Sequence, residues 1–193
     1  MKSIAATHLD IDANRSSRKW SRRELAGRFL WDCIGALFRW SPRQLWGWRR
    51  LLLRCFGARI GAQVQIHPSA KIFIPWNLSI GDHSSIGFDA LIYNLGPIAI
   101  GERVTISQRA HLCAGSHDCR VATMPLLKLP ISIGNDAWIC SDAFVGPDVK
   151  VGAGAVVGAC AAVFRDVEVW TIVGGNPANT LGKRVMHGYR LNG

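Results

Sequence analysis

Between Ile60 and Val163 an aliphatic residue returns every six positions, a period that neither an α-helix nor a β-strand has. The series holds Ile60, Ile66 and Ile72, then Ile80, Ile86 and Ile92, then Ile100, Ile106 and Leu112. After a gap it resumes at Ile133, Ile139, Val145, Val151, Val157 and Val163. Three hexads form one triangular turn of a parallel β-helix, and stacked turns bring the aliphatic side chains into buried columns. The turns start at Ile60-Gly61, Ile80-Gly81, Ile100-Gly101, Ile133-Gly134 and Val151-Gly152, where small residues suit tight corners. The step from Ile100 to Ile133 is 33 residues, so one turn carries about fifteen residues as an excursion, placed at 117–130. The expected organisation is a helical segment over 1–59, a β-helix of about five coils over 60–165, and a tail over 166–193.

Charge separates these parts. Residues 1–60 hold 13 Lys or Arg against 4 Asp or Glu, a net of +9 out of a formal +10 for the chain. The repeat region is therefore nearly neutral. Cys33, Cys55, Cys113, Cys119, Cys140 and Cys160 form no CxxC pair, which fits reduced, mostly buried thiols in a cytosolic protein. Met1 to Arg18 is polar, with no apolar core of a signal peptide. No run of 18 apolar residues is available to span a bilayer.

Residues 1–19 read as disordered. Ser21-Arg-Arg-Glu24 is a capping box that opens a helix to about Phe38. On a wheel Leu25, Phe29, Leu30, Cys33 and Leu37 line its apolar face, opposite Ser21, Glu24, Arg28, Asp32 and Arg39. Ser41-Pro42 reads as the start of a second helix that ends at Gly57. Five of the eight tryptophans lie in this segment, interleaved with arginine. Such helices cap the open end of the β-helix, rest in a membrane interface through residues 20–57, or do both. No nucleic-acid motif accompanies the charge, so nucleic acid is not an expected partner.

The segments Ile92-Tyr-Asn-Leu-Gly-Pro97, Leu112-Cys-Ala-Gly-Ser-His-Asp118, Ile133-Gly-Asn-Asp-Ala-Trp-Ile139 and Val173-Gly-Gly-Asn-Pro177 resemble the hexapeptide-repeat acyltransferases. Within them the chain is most similar to sugar O-acetyltransferases of the colanic-acid group. The resemblance implies a left-handed parallel β-helix, a hand that periodicity alone does not give. It also implies acetyl-CoA as co-substrate, no metal, and a homotrimer with active sites between subunits acting on a sugar or glycan acceptor. The expected location is cytoplasmic, associated with the inner face of the membrane.

Transfer of an acetyl group to a hydroxyl needs a base, and imidazole titrates near neutrality. His117, at the mouth of the excursion, matches the family's catalytic histidine. Asp118 either orients the imidazole or starts the loop as a turn residue, and a backbone carbonyl would orient it equally well. By the same resemblance Trp138 flanks the acetyl-CoA arm, the Ser141 backbone NH faces the thioester, and Gly158-Ala159 meets the pantetheine. Arg165, Lys183 and Arg184 are candidates for the phosphates, although Asn179 stands where the family often has a basic residue. Asn94 is a candidate acceptor contact, or a corner asparagine without function.

Other readings are an acetyltransferase of the same fold for an amino sugar or small hydroxylated metabolite, and a non-catalytic trimeric scaffold. A zinc site of the γ-carbonic-anhydrase kind would draw on His67, His83, His111 and His117. His111 and His117 are six apart, which places them on successive faces, and the five-residue spacing of that family is missing.

Overall fold

All fifteen hexad positions become inward-facing residues of short strands in the computed structural model, which describes residues 8–187. The strands stack in parallel register into three faces. Ile60, Ile80, Ile100, Ile133 and Val151 form the column of the first face. Ile66, Ile86, Ile106, Ile139, Val157 and Val173 form that of the second. Ile72, Ile92, Leu112, Val145 and Val163 form that of the third. Each is at most 7% exposed, and burial of such a side chain stabilises by about 1.5–3 kcal/mol. Small residues two positions earlier, such as Ala70, Ala90, Ala110, Ala143 and Ala161, fill the remaining interior.

The three faces meet at three edges, which we name by the faces they join. Edge 1–2 holds the glycines of the coil starts. A Cβ on Gly81 would stand 2.7 Å from the Glu102 nitrogen, and one on Gly134 would stand 2.5 Å from the Ala153 nitrogen. These glycines are required by close backbone approach and not by a positive φ. The third face carries an outward aromatic stripe, Phe73, Tyr93, His111, Phe144 and Phe164, with successive ring centroids 4.8–6.5 Å apart. Within that stripe His111 Nε2 is buried without a hydrogen-bond partner among the described residues, and burial lowers the imidazole pKa.

Along the strands each coil donates backbone N–H groups to the next coil, as from Gly61 to Ile80 O at 2.8 Å and from His67 to Ile86 O at 2.9 Å, while corner groups such as His83 N–H donate back, to Ala62 O at 2.9 Å. The strand carbonyls of the first coil therefore have no earlier coil to bond them. The amino-terminal helices α2 (Arg22–Arg39) and α3 (Trp46–Cys55) supply the donors. Arg54 Nη2 reaches Ile60 O at 2.6 Å and Gly61 O at 3.0 Å, and Arg50 Nη1 reaches Val64 O at 2.9 Å. Arg49 Nε reaches Ile66 O and Trp31 Nε1 reaches Ile72 O, both at 2.7 Å. Arginine and tryptophan are polyvalent or rigid donors on apolar stems, which is the chemistry that roofing an open sheet edge demands. The basic, Trp-rich composition thus has a structural use.

The capping box at Ser21 and Glu24 forms, and Gly57 terminates α3 at φ 86°. Four expectations need correction. Residues 1–7 lie outside the described residues, but Ile11–Ser16 is a helix, α1, capped by Asp10. The second helix starts at Trp46, because the Ser41 hydroxyl is engaged by Phe38 O and Arg49. The side of α2 that packs is Trp31, Gly35 and Phe38, while Leu25, Phe29, Leu30 and Leu37 are exposed. Trp31 prevails over the aliphatic residues because it both fills space, against Phe38 and Phe56, and caps a carbonyl. Lastly, none of the six cysteines is fully buried.

The solenoid also continues past residue 165. Thr171–Gly174 adds a sixth parallel strand to the second face, and Asn179–Lys183 folds back antiparallel to close it.

Candidate active site

His117 lies on the excursion, which leaves the solenoid at edge 3–1 as a hairpin pairing Ser116–His117 with Leu126–Leu127. Its ring is exposed, and Nδ1 lies 2.7 Å from the Met124 carbonyl oxygen. A carbonyl only accepts, so Nδ1 carries the proton and Nε2 presents its lone pair outward. Met124 turns its carbonyl there with φ 43°, in the left-handed region. Asp118 does not orient the imidazole. Its carboxylate accepts the Arg120 N–H at 3.0 Å and faces the Arg120 guanidinium at 3.5 Å, so it builds the turn.

Trp138 lies on the second face, 44% exposed, with its indole N–H donated to Ser107 Oγ at 2.9 Å. Ser107 was not singled out from sequence as a site residue. Counting coils would have found it, since Thr105 and Trp138 are register partners and Ser107 turns the adjoining corner. Ser141 and Ala159 stack at edge 2–3 on consecutive coils, where the Cys160 N–H donates to Ser141 O at 3.0 Å. The Ser141 and Ala159 N–H groups themselves have no acceptor among the described residues. Two outward N–H groups one strand spacing apart, about 4.8 Å, form a donor ladder suited to successive carbonyls of an extended ligand. Further up this side, Gln65, His67, Phe88, Gln108 and Arg109 line a groove of mixed polar and apolar character. Arg109 is held there by Asp142 at 2.6 Å.

The cationic candidates do not converge. Arg165 is at edge 3–1, just past the last strand of the third face. Lys183 donates to Glu168 at 3.1 Å and to Thr171 at 2.8 Å. Arg184 reaches the Asp136 and Gly154 carbonyls at edge 1–2, at 2.8 and 3.1 Å. Their shared charge suits phosphates, but within one chain the triangular cross-section separates them. Asn94 is also corrected: it is fully buried, accepts from the Phe73 and Ile74 N–H groups at 3.2 and 3.0 Å, and donates to Ile74 O at 2.5 Å. Its amide bridges two coils, and full burial keeps it from meeting an acceptor sugar.

Within one chain His117 and the Ser141–Ala159 ladder thus occupy the two edges that flank the third face.

The arrangement matches known proteins at three levels. The family model described as bacterial transferase hexapeptide (six repeats) matches residues 130–165. The Escherichia coli K12 protein named as a colanic acid biosynthesis acetyltransferase, WcaF, is 44% identical over 157 residues, covering 81% of this chain and 86% of its own. The hexapeptide-repeat acetyltransferase VCA0836 of Vibrio cholerae superposes with a TM-score of 0.78 at 27% identity, over 84% of this chain and 93% of that one. Its acetyl-CoA complex superposes at 0.76 with 25% identity, over 88% and 93%. The solenoid is the left-handed parallel β-helix of these neighbours. On this identity and coverage, the chain belongs to the hexapeptide-repeat acetyltransferase family.

Proposed function

We propose that this protein transfers the acetyl group of acetyl-CoA to a sugar hydroxyl in the assembly of a surface glycan, with His117 as general base. The observation that carries the reading is the hydrogen bond from His117 Nδ1 to Met124 O, which leaves Nε2 as a free acceptor. The acceptor hydroxyl oxygen attacks the thioester carbonyl carbon as Nε2 takes its proton. The tetrahedral oxyanion is met by a backbone N–H, for which Ser141 is the candidate. Collapse expels the thiolate of coenzyme A, which recovers the proton from the imidazolium, leaving an O-acetyl ester. No metal and no covalent enzyme intermediate takes part.

The two half-sites lie on different edges, so the reading includes a closed homotrimer. The edge 3–1 of one chain meets the edge 2–3 of the next only if the third face, which lies between them, turns toward the three-fold axis. That face carries the aromatic stripe and the unpartnered His111 Nε2, which supports burial there. The family likeness to WcaF supports a glycan acceptor. The exposed apolar side chains Phe29 and Leu37 of α2, with Trp40 just past its end, support peripheral contact of this basic segment with an anionic bilayer. No helix among the described residues is long and apolar enough to cross a membrane.

The test measures thermal stability against acetyl-CoA and acetyl transfer together. At 100 times its dissociation constant, acetyl-CoA should add about 2.7 kcal/mol. His117→Ala should keep that gain and lose about 10²–10⁴-fold in transfer, while Trp138→Ala should weaken the gain. Co-assembly of inactive His117→Ala with inactive Ala159→Trp should restore part of the activity by forming one intact interface. A folded trimer that acetyl-CoA does not stabilise would leave the scaffold reading, and transfer only to amines would leave the amino-sugar reading. Pelleting with phosphatidylglycerol vesicles that is unchanged in Phe29→Asp would remove the membrane contact.

A further inference from the structure

The Met124 carbonyl that holds His117 accepts a second hydrogen bond. Asn14, on α1, donates its side-chain amide to Met124 O at 2.8 Å and to Thr123 O at 2.5 Å. The Asp10 N–H adds a bond to Ala122 O at 2.9 Å. Three consecutive carbonyls of the excursion are therefore gripped by a segment more than a hundred residues away in the chain. Lys19 Nζ donates to Asn14 Oδ1 at 2.8 Å, which fixes the amide nitrogen, and not the oxygen, against those carbonyls. Behind this contact the indole of Trp20 lies 3.5 Å from Lys128 Nζ and 4.3 Å from the Arg28 guanidinium, and Lys128 faces Glu24 at 3.7 Å.

A six-residue helix is too short to be stable alone, so α1 exists because it is docked on the excursion. The excursion gains in return. Met124 sits in a left-handed conformation that methionine disfavours, and the two donors on its carbonyl offset that cost. Loss of the Asn14 donor frees the turn to relax, moves the carbonyl from Nδ1, and lets the imidazole exchange tautomers.

We propose that Asn14 is a positioning residue for acetyl transfer: through the Met124 carbonyl it holds His117 with the proton on Nδ1 and the lone pair on Nε2. The proposal rests on the reading of His117 as general base. Its chemistry is that of an outer-shell partner orienting the group that touches substrate.

The experiment uses the full chain, with the His117 tautomer read by long-range ¹H–¹⁵N NMR and kinetics measured on the same samples. The wild-type protein should show Nδ1–H. Asn14→Ala should mix the tautomers and lower kcat about tenfold, the worth of one hydrogen bond at about 1.4 kcal/mol, with KM for acetyl-CoA unchanged. Asn14→Asp, which sets a carboxylate against two carbonyls, should do at least as much. Arg15→Ala, on the same helix and outside the clamp, should change neither readout. A kcat within twofold of wild type in Asn14→Ala, or a fall in kcat with the tautomer intact, would overturn the proposal. If both Asn14 variants fail to fold, the wild-type spectrum decides, because Nε2–H there excludes the clamp. Full activity in His117→Ala would overturn the base reading and the clamp's catalytic role together. An inactive His117→Ala beside an unaffected Asn14→Ala would overturn the clamp alone.

Discussion

Replacing Arg49 by methionine removes the most buried donor of the amino-terminal roof while keeping much of its stem volume. Arg49 is fully buried, faces no carboxylate among the described residues, and stacks on Trp46 at 4.8 Å. Burial lowers its pKa, yet an arginine remains charged, and the charge is met by oxygen acceptors. Nε bonds Ile66 O and Nη1 bonds Ser41 Oγ, both at 2.7 Å in buried surroundings. Nη1 also reaches Pro42 O at 2.8 Å, and Nη2 reaches Arg43 O, at the margin where water has access. Methionine orphans the two buried acceptors, each worth about 1–3 kcal/mol, and the outer two recover water. The expected loss is about 3–5 kcal/mol, a melting temperature lower by roughly 6–20 °C for a chain of this size. Arg49→Lys should recover only part of it, because one ammonium cannot span Ile66 O and the Pro42–Arg43 carbonyls together. Thermal melts at one fixed protein concentration measure both variants. A melting temperature for Arg49→Met within about 2 °C of wild type would refute the roof as an energetic element.

Gly134→Ala should destabilise by about 1–3 kcal/mol in a urea titration, because its Cβ meets the Ala153 backbone at 2.5 Å. Gly35→Ala, in the helix interior with nothing within 4 Å, should instead stabilise by up to about 1 kcal/mol. Asn94→Ala should cost about 2–4 kcal/mol in the same titration while kcat per folded molecule stays within twofold, since the amide serves the coil. For Asp142, hydrogen bonding to Arg109 holds the carboxyl below its ordinary 3.8. A depressed carboxylate stabilises above its unfolded pKa and loses that contribution as pH falls through the folded one. Asp142→Asn should therefore be less stable than wild type at pH 7, with a difference that shrinks in melts run progressively below about pH 4.

What was legible in the sequence follows the range over which each signal acts. The hexads were readable because one aliphatic side chain per strand sets the coil, and the same residue type returns in every coil. Ser21, Glu24 and Gly57 carried local capping chemistry that needs no tertiary partner. The packed side of α2 was misread because it is settled by Ile72 O, 41 residues from Trp31. A wheel sees the hydrophobicity of Leu25 and Phe29 but not a carbonyl in want of a donor. At the site, His117 was visible through its motif, whereas its orienting group is a backbone oxygen that any residue would supply. Asn94 read as a ligand contact or a corner residue, because its bonds to Ile74, twenty residues away, appear only once the coils are stacked. The three cations were grouped by charge, and the triangular section sends them to different places.

The roof over the first coil also sets the size of the particle. A stack whose coils bond through parallel backbone ladders has no internal reason to stop, and bare carbonyls at one end are a template for the closing strands of another molecule. By filling those acceptors with Arg49, Arg50, Arg54 and Trp31, the chain spends its own side chains where a neighbour would otherwise add on. A chain shorn of that roof is expected to associate through its bared first coil, so the basic segment at one end and the returning strand Asn179–Lys183 at the other keep the stack a discrete particle.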